Sequence, residues 1–225
     1  MVVTMVLLMF TFFVVRDFYV QRRHARQLEA RTAVPEVRQE VPVFASMNAV
    51  SGFKTPAHLA YHPGHSWATK ESRQVVRIGL DDFAAHVVGK IDKIDLPARG
   101  RWLRQGERGW TIGRGTHSFE MLSPIEGEVI DINPEVLRNP ALAQEDPYGV
   151  GWLVAVQAPA VDSNMKNLLH GRLAQRWMEE SVSSLHMRVS PGSEAYMQDG
   201  GHPVADMLSL VPEAQWDKLV EEMLG

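Results

Sequence analysis

The stretch Ser123-Pro-Ile-Glu-Gly-Glu-Val-Ile-Asp-Ile132 indicates the architecture of this 225-residue chain. From Gly127 to Ile132 apolar and polar residues alternate, which is typical of a β-strand with one buried face. Pro124 and Gly127 bracket a tight turn before this strand. Asn133-Pro134 then forms a second turn that begins a short helical segment. The stretch therefore predicts a strand held between two turns.

Segments of the same kind lie on both sides of it. The predicted strands span 74–80, 92–96, 109–112 and 151–156, and the predicted helices span 81–88 and 162–178. The first helix has an acidic first turn, and the second repeats apolar residues at helical spacing. Because glycine and proline recur between these short segments, we expect a mainly β, compact antiparallel structure with helical additions.

Composition excludes several classes of site. Hydrophobic residues make up 45% of the chain and charged residues 22%, which is enough for a sizeable core. The absence of cysteine excludes a disulfide scaffold, a zinc ribbon, an iron–sulfur cluster and a cysteine nucleophile. A net charge of −4 argues against a nucleic-acid partner, which would require a basic face. No nucleophile elbow, phosphate-binding loop or paired-carboxylate motif supports an independent hydrolase.

The first 20 residues predict a transmembrane anchor. Residues 1–15 are uncharged, and residues 18–20 lengthen the run if Arg16 snorkels. A secretory signal would need a basic segment before the run and a small-x-small site after it, and both are missing. Basic residues favour the cytoplasmic side and crowd the end of the run, which places the bulk of the chain in the cytoplasm. They are Arg16, Arg22, Arg23 and Arg26.

Segments outside the central domain are predicted from their composition. Residues 21–57 are polar and interrupted by proline, which indicates a juxtamembrane helix and linker, and the central domain would span 58–180. Residues 181–201 contain Ser-Pro-Gly and Asp-Gly-Gly, which indicates a flexible connector. Residues 212–224 predict an amphipathic helix. Its apolar stripe either packs on the central domain or docks a partner.

Three motifs in order resemble the glycine cleavage system H protein family. The first is Tyr61-His-Pro-Gly-His-Ser-Trp67, and the second runs from Ile78-Gly-Leu-Asp-Asp-Phe83 to Leu96-Pro97. The third joins Ser123-Pro-Ile-Glu-Gly-Glu-Val129 to Glu145-Asp-Pro-Tyr-Gly-Val-Gly-Trp-Leu153. The resemblance implies a flattened β-barrel or sandwich of the lipoyl type, a barrel-sandwich hybrid, over about residues 58–180.

The resemblance also implies a lipoyl-carrying lysine at a β-hairpin tip, and this chain lacks one. By the family's pattern the lysine position maps to Thr116, and an acidic position three residues earlier maps to Gly113. No lysine lies between Lys93 and Lys166, so no register of the hairpin supplies an amine. The Arg114 guanidinium stays protonated and is a poor acyl acceptor. We therefore expect no lipoate on this chain.

The hairpin tip still contains candidate contact residues: Gly113, Arg114, Gly115, Thr116 and His117. Arg114 and His117 can meet an anion or a carboxylate, although a glycine-rich hairpin with solvated charges explains the same residues. A metal site built from His62, His65 and His117 lacks diagnostic spacing, so we expect no bound metal.

Two functions fit these observations. The first is a non-catalytic, membrane-anchored binding or scaffold module with cytoplasmic protein partners. The second is an accessory or carrier-like component of a glycine-cleavage or redox enzyme system. Neighbouring genes for a decarboxylase and an aminomethyltransferase would favour the second function.

Overall fold

The computed structural model describes residues 47–189, 197–198 and 202–224. The predicted anchor at 1–20 and residues 21–46 of the predicted linker lie outside these residues. No helix in the described part of the chain is long and apolar enough to cross a membrane.

The fold is mainly β, as predicted, with six α-helices among the described residues. The strands are β1 (Met47–Val50), β2 (Phe53–Pro56), β3 (Ala60–His62), β4 (Ser66–Lys70), β5 (Val75–Leu80), β6 (Lys93–Asp95), β7 (Trp102–Leu103), β8 (Arg108–Arg114), β9 (His117–Leu122), β10 (Gly127–Ile132), β11 (Val154–Gln157), β12 (Met197–Gln198) and β13 (His202–Pro203). The helices are α1 (Asp82–Val88), α2 (Pro134–Arg138), α3 (Leu142–Glu145), α4 (Val161–Lys166), α5 (Gly171–Val189) and α6 (Trp216–Leu224).

Two antiparallel sheets enclose the core. The larger has the strand order β3-β4-β5-β11-β10-β7, and the smaller has the order β6-β8-β9. Inward-facing residues of both sheets, such as Ile78 and Val156 in one and Ile112 and Met121 in the other, belong to one buried cluster. This arrangement agrees with the predicted sandwich, because each sheet buries one face against the other.

The predicted strands around the core are present. The stretch from Gly127 to Ile132 is β10, and its turn requires glycine because a Cβ on Gly127 would lie 2.4 Å from the Gln157 carbonyl oxygen. The predicted strand at 151–156 is wrong at its start, since β11 begins at Val154. Gly151 is instead held in the preceding loop, where its amide donates to the Asp146 carbonyl.

The predicted linker at 21–57 is wrong over its last residues. Residues 47–56 form the β1–β2 hairpin, whose turn at Ser51-Gly52 has two positive φ angles, 49° and 89°. Phe53 is fully buried and its ring lies 5.3 Å from that of Phe83. The domain therefore begins before residue 58, because Val50 and Phe53 anchor this hairpin in the core.

The single helix predicted over 162–178 is divided into α4 and α5. The break lies at residues 167–170, where Leu169 exchanges two backbone hydrogen bonds with Tyr61, an interaction that a continuous helix would prevent. Helix α5 begins at Gly171, which has a φ of +50°, a value that glycine adopts at little cost. Helical periodicity in the sequence continues across this break and therefore did not reveal it.

The connector predicted from residue 181 is also wrong at its start. Helix α5 continues to Val189, and Ser181, Val182 and Leu185 are buried on the domain. The Ser-Pro-Gly stretch that suggested a connector follows the end of this helix.

Candidate functional site

The β8–β9 hairpin carries the predicted tip. Arg114 pairs with His117, so Gly115 and Thr116 form a two-residue turn. Gly115 has a φ of +57°, and its amide donates to Asp92 Oδ2 at 2.8 Å. Gly115 and Thr116 are both exposed. Thr116 thus lies at the outermost point of the hairpin.

Gly113 lies within β8, one residue before the last residue of the strand, and is not part of the turn. It pairs with Lys93 on one side and Ser118 on the other. A Cβ on Gly113 would lie 3.2 Å from the Lys93 Cβ, which is a close contact. The residue therefore permits tight pairing of β6 with β8.

Arg114 turns away from solvent towards the C-terminal part of the chain. Its guanidinium forms a bidentate ion pair with Asp206, in which Nη2 lies 2.9 Å from Oδ2, and it also donates to the Val88 carbonyl. The guanidinium carbon lies 4.3 Å from the ring centroid of Trp216. The side chain is only 11% exposed, so Arg114 is enclosed by these contacts.

His117 meets two carboxylates from the same part of the chain. Its Nδ1 lies 2.8 Å from Asp217 Oδ1, and its Nε2 lies 3.1 Å from Glu213 Oε1. A neutral imidazole has one N–H donor, whereas two carboxylates on two ring nitrogens favour the doubly protonated ring. Hydrogen bonds to Asp217 and then Glu213 raise the pKa of His117 above 6.5.

These partners belong to a segment that we call the C-terminal cover, residues 203–224. Its apolar side chains Met207, Leu208, Leu219, Val220 and Leu224 are buried in the main core. Helix α6 packs against β9, α1 and α5. Of the two interpretations of the amphipathic stripe, packing on the central domain is the one observed, since Leu219, Val220 and Leu224 are buried there.

A glycine admits the cover beside the tip. Gly89 ends α1 with a φ of +69°, and a Cβ there would lie 2.4 Å from Asp206 Oδ1 and 2.7 Å from Arg114 Nη1. The Met207 amide donates to the His86 carbonyl at 3.0 Å in the same region. The C-terminus of α1 is therefore shaped to accept the Arg114–Asp206 pair.

The tip does not fit a lipoyl group. Amide attachment requires an amine, and the outermost side chain is the hydroxyl of Thr116. Lys90 and Lys93 lie on the segment beside the hairpin, where each pairs with a carboxylate, Asp92 or Asp95. Neither lies in the hairpin turn itself.

A buried histidine–aspartate pair was missed at the level of sequence. His65 Nδ1 lies 2.7 Å from Asp81 Oδ2, and Asp81 Oδ1 accepts the Ala84 amide and so caps α1. The His65 ring is 1% exposed and stacks on Phe83 at 4.2 Å. His65 directly precedes β4 and Asp81 caps α1, so the pair links these two elements. Because both side chains are buried, the pair has a structural role.

The neighbouring carboxyl group, Asp82, is also enclosed. Burial raises its pKa above 3.8, although the Lys54 amide donates to it at 2.8 Å. The Asp82 amide in turn donates to Tyr148 Oη at 2.9 Å. These bonds join β2, α1 and the loop that contains Tyr148.

The three histidines considered for metal binding occupy separate settings. His65 is paired with Asp81, His62 accepts from the Gly64 amide at 3.0 Å, and His117 binds the cover. Within residues 47–189, 197–198 and 202–224, no three His, Asp or Glu side chains are arranged so that they could hold a metal ion.

The similarity to known proteins lies in the central domain of the chain. The glycine cleavage H-protein family model matches residues 59–181. A probable glycine cleavage system H protein 2 of Sulfurisphaera tokodaii is 33% identical over 141 residues, covering 61% of this chain and 95% of that protein. The glycine cleavage system H protein of Bacteroides fragilis is 35% identical over 114 residues, covering 51% of this chain and 89% of that protein.

A solved structure shares the fold. The crystal structure of a glycine cleavage system H protein from Mycobacterium marinum superimposes with a TM-score of 0.50 and 23% identity. The match covers 57% of this chain and 99% of that one. The cover begins beyond the residues that the family model matches.

Proposed function

The chain belongs to the glycine cleavage H-protein family, and from that premise we propose that it is a non-lipoylated, membrane-anchored member that binds proteins rather than carrying a reactive group. One observation carries the proposal: the hairpin tip is Gly115-Thr116, and no lysine lies between Lys93 and Lys166. Without an amine at the tip, the domain has the fold of a lipoyl carrier but no side chain there to which lipoate can be joined as an amide.

Lipoylation tests this proposal at the tip. The purified chain, Thr116→Lys and Thr116→Arg would each be incubated with a lipoate ligase and lipoate, and their intact masses compared. We expect a lipoyl addition on Thr116→Lys alone, since it supplies an exposed amine in the turn, while the arginine variant controls for charge. Lipoylation of the unaltered chain would refute the proposal.

Membrane anchoring is supported by the uncharged run at residues 1–15 and the arginines that follow it. Cell fractionation of the full chain and of a chain lacking residues 1–20 tests it. We expect the full chain in the detergent-extractable membrane fraction and the shortened chain in the supernatant. Equal distribution of the two would contradict an anchor, and exposure of the domain on the outer side would contradict the cytoplasmic placement.

The second candidate function is an accessory component of a glycine-cleavage or redox system. Its support is the family itself, because the named relatives are glycine cleavage system H proteins. If the domain retains the surface by which such proteins meet their partners, the purified chain should inhibit a reconstituted glycine-cleavage reaction by competing with its lipoylated H protein. An unchanged rate at excess chain would favour the scaffold function.

A further inference from the structure

The tip and the cover are complementary in charge. The cover contains five acidic residues and one lysine, while the tip directs Arg114 and His117 towards it. Trp216 contacts both side chains, with its ring 4.3 Å from the Arg114 guanidinium carbon and 5.1 Å from the His117 ring centroid. One aromatic ring flanked by carboxylates thus fills the space beside the tip.

The contacts of His117 are more exposed than those of the core and than those of Arg114, whose side chain is only 11% exposed. The carboxylates of Glu213 and Asp217 remain 67% and 72% exposed while they meet His117. Exposed ion pairs are individually weak and exchange readily with similar groups. Helix α6 has nine residues, which is too short to be stable without the surface on which it packs.

We propose that the hairpin tip is a docking surface for a helical segment that carries an aromatic residue flanked by carboxylates, and that the C-terminal cover is its displaceable resident competitor. This inference rests on the proposed binding function and adds the chemistry of the partner. In the cover, Glu213 precedes Trp216 by three residues and Asp217 follows it, so a partner segment would present the same spacing.

The arrangement has a consequence for affinity. Because the cover already occupies the tip, a partner binds only the fraction of molecules whose cover is displaced. Its apparent affinity is its intrinsic affinity multiplied by that fraction. Weakening the cover without altering the tip therefore strengthens binding of an added segment.

A labelled peptide of residues 203–224 serves as the probe, with binding to the full chain measured by fluorescence anisotropy. The variant Asp206→Asn/Trp216→Ala weakens the ion pair with Arg114 and removes the Trp216 ring, while it keeps the fully buried apolar residues Met207, Leu208 and Leu224. We expect it to bind the peptide about tenfold tighter than the unaltered chain. Adding Arg114→Ala to that variant should abolish the gain, and a peptide carrying the same two cover substitutions should not bind.

Equal affinity of the unaltered chain and the weakened variant would overturn the proposal, as would a gain that survives Arg114→Ala. Hydrogen exchange of the unaltered chain gives an independent test. A displaceable cover requires the amides of 203–224 to exchange faster than those of β8 and β9. Exchange of both only by global unfolding would show a fixed cover and overturn the proposal. Neither result depends on whether the chain is lipoylated.

Discussion

At the scale of single residues, His117 is the group whose charge depends most directly on the cover. Asp217 and Glu213 face its two ring nitrogens, and Trp216 packs beside the ring and also contacts Arg114. The two carboxylates favour the imidazolium, so the strength of these contacts depends on pH.

We predict that the pKa of His117, measured by NMR titration, lies above 6.5 and returns towards it in Glu213→Gln/Asp217→Asn. A raised folded-state pKa gives stability that is fully present below the unfolded value and is lost as pH rises through the folded one. The difference in unfolding free energy between the unaltered chain and His117→Gln should therefore shrink above neutral pH. A pKa at or below 6.5 would contradict the contacts.

Substitution of Gly151 tests how tightly the loop before β11 is packed. A Cβ there would lie 2.3 Å from the Leu142 carbonyl oxygen and 2.6 Å from that of Asp146, both backbone atoms. We expect Gly151→Ala to lower the free energy of unfolding by about 1–3 kcal/mol, measured in urea. Gly109→Ala is the matched control, because its nearest neighbour would lie at 3.5 Å, and it should cost clearly less.

Some residue environments follow from residue type. Large aromatic side chains are usually buried, and accordingly Trp67 and Trp110 are buried and Trp152 is half-buried. Gly151 permits a close approach of backbone atoms that a side chain would prevent. The acidic partners of Arg114 and His117 could not be predicted, because about 90 residues or more separate each pair in the chain.

At the scale of elements, strands β5, β6, β8 and β10 and helices α1 and α6 were predicted, whereas strands β1 to β4 were not. Alternation and turn residues located β5, β8 and β10, since a strand with one buried face has a period of two. The break between α4 and α5 depends on backbone pairing with β3, and periodicity does not report such pairing. Similarly, the stripe of α6 indicated that one face must be buried but not against which surface.

Substitution of Leu219 tests whether α6 packs on the domain through its buried face. It is 6% exposed within the main core, whereas Glu221 on the same helix is exposed. Leu219→Ala should lower the free energy of unfolding by about 2–5 kcal/mol, through lost burial and the cavity left behind. Glu221→Ala should change it by less than about 0.5 kcal/mol, as is usual for a surface site. Equal effects would mean that α6 does not pack as described.

At the scale of the whole molecule, the matched family domain and the cover form one buried core. The family motifs predicted the two-sheet domain, because its turns and strand ends are encoded in contiguous stretches. They did not predict the cover or the β1–β2 hairpin, which lie outside the residues that the family model matches. Both additions pack on the family domain through a few large apolar side chains.

We expect this H-protein-like domain to carry no lipoyl group, because the hairpin tip has a threonine where attachment requires an amine. Intact-mass spectrometry of the full chain, purified from the cells that naturally make it, measures this. The expected mass is that of the chain without a lipoyl addition. A lipoyl addition on any of its six lysines would contradict it.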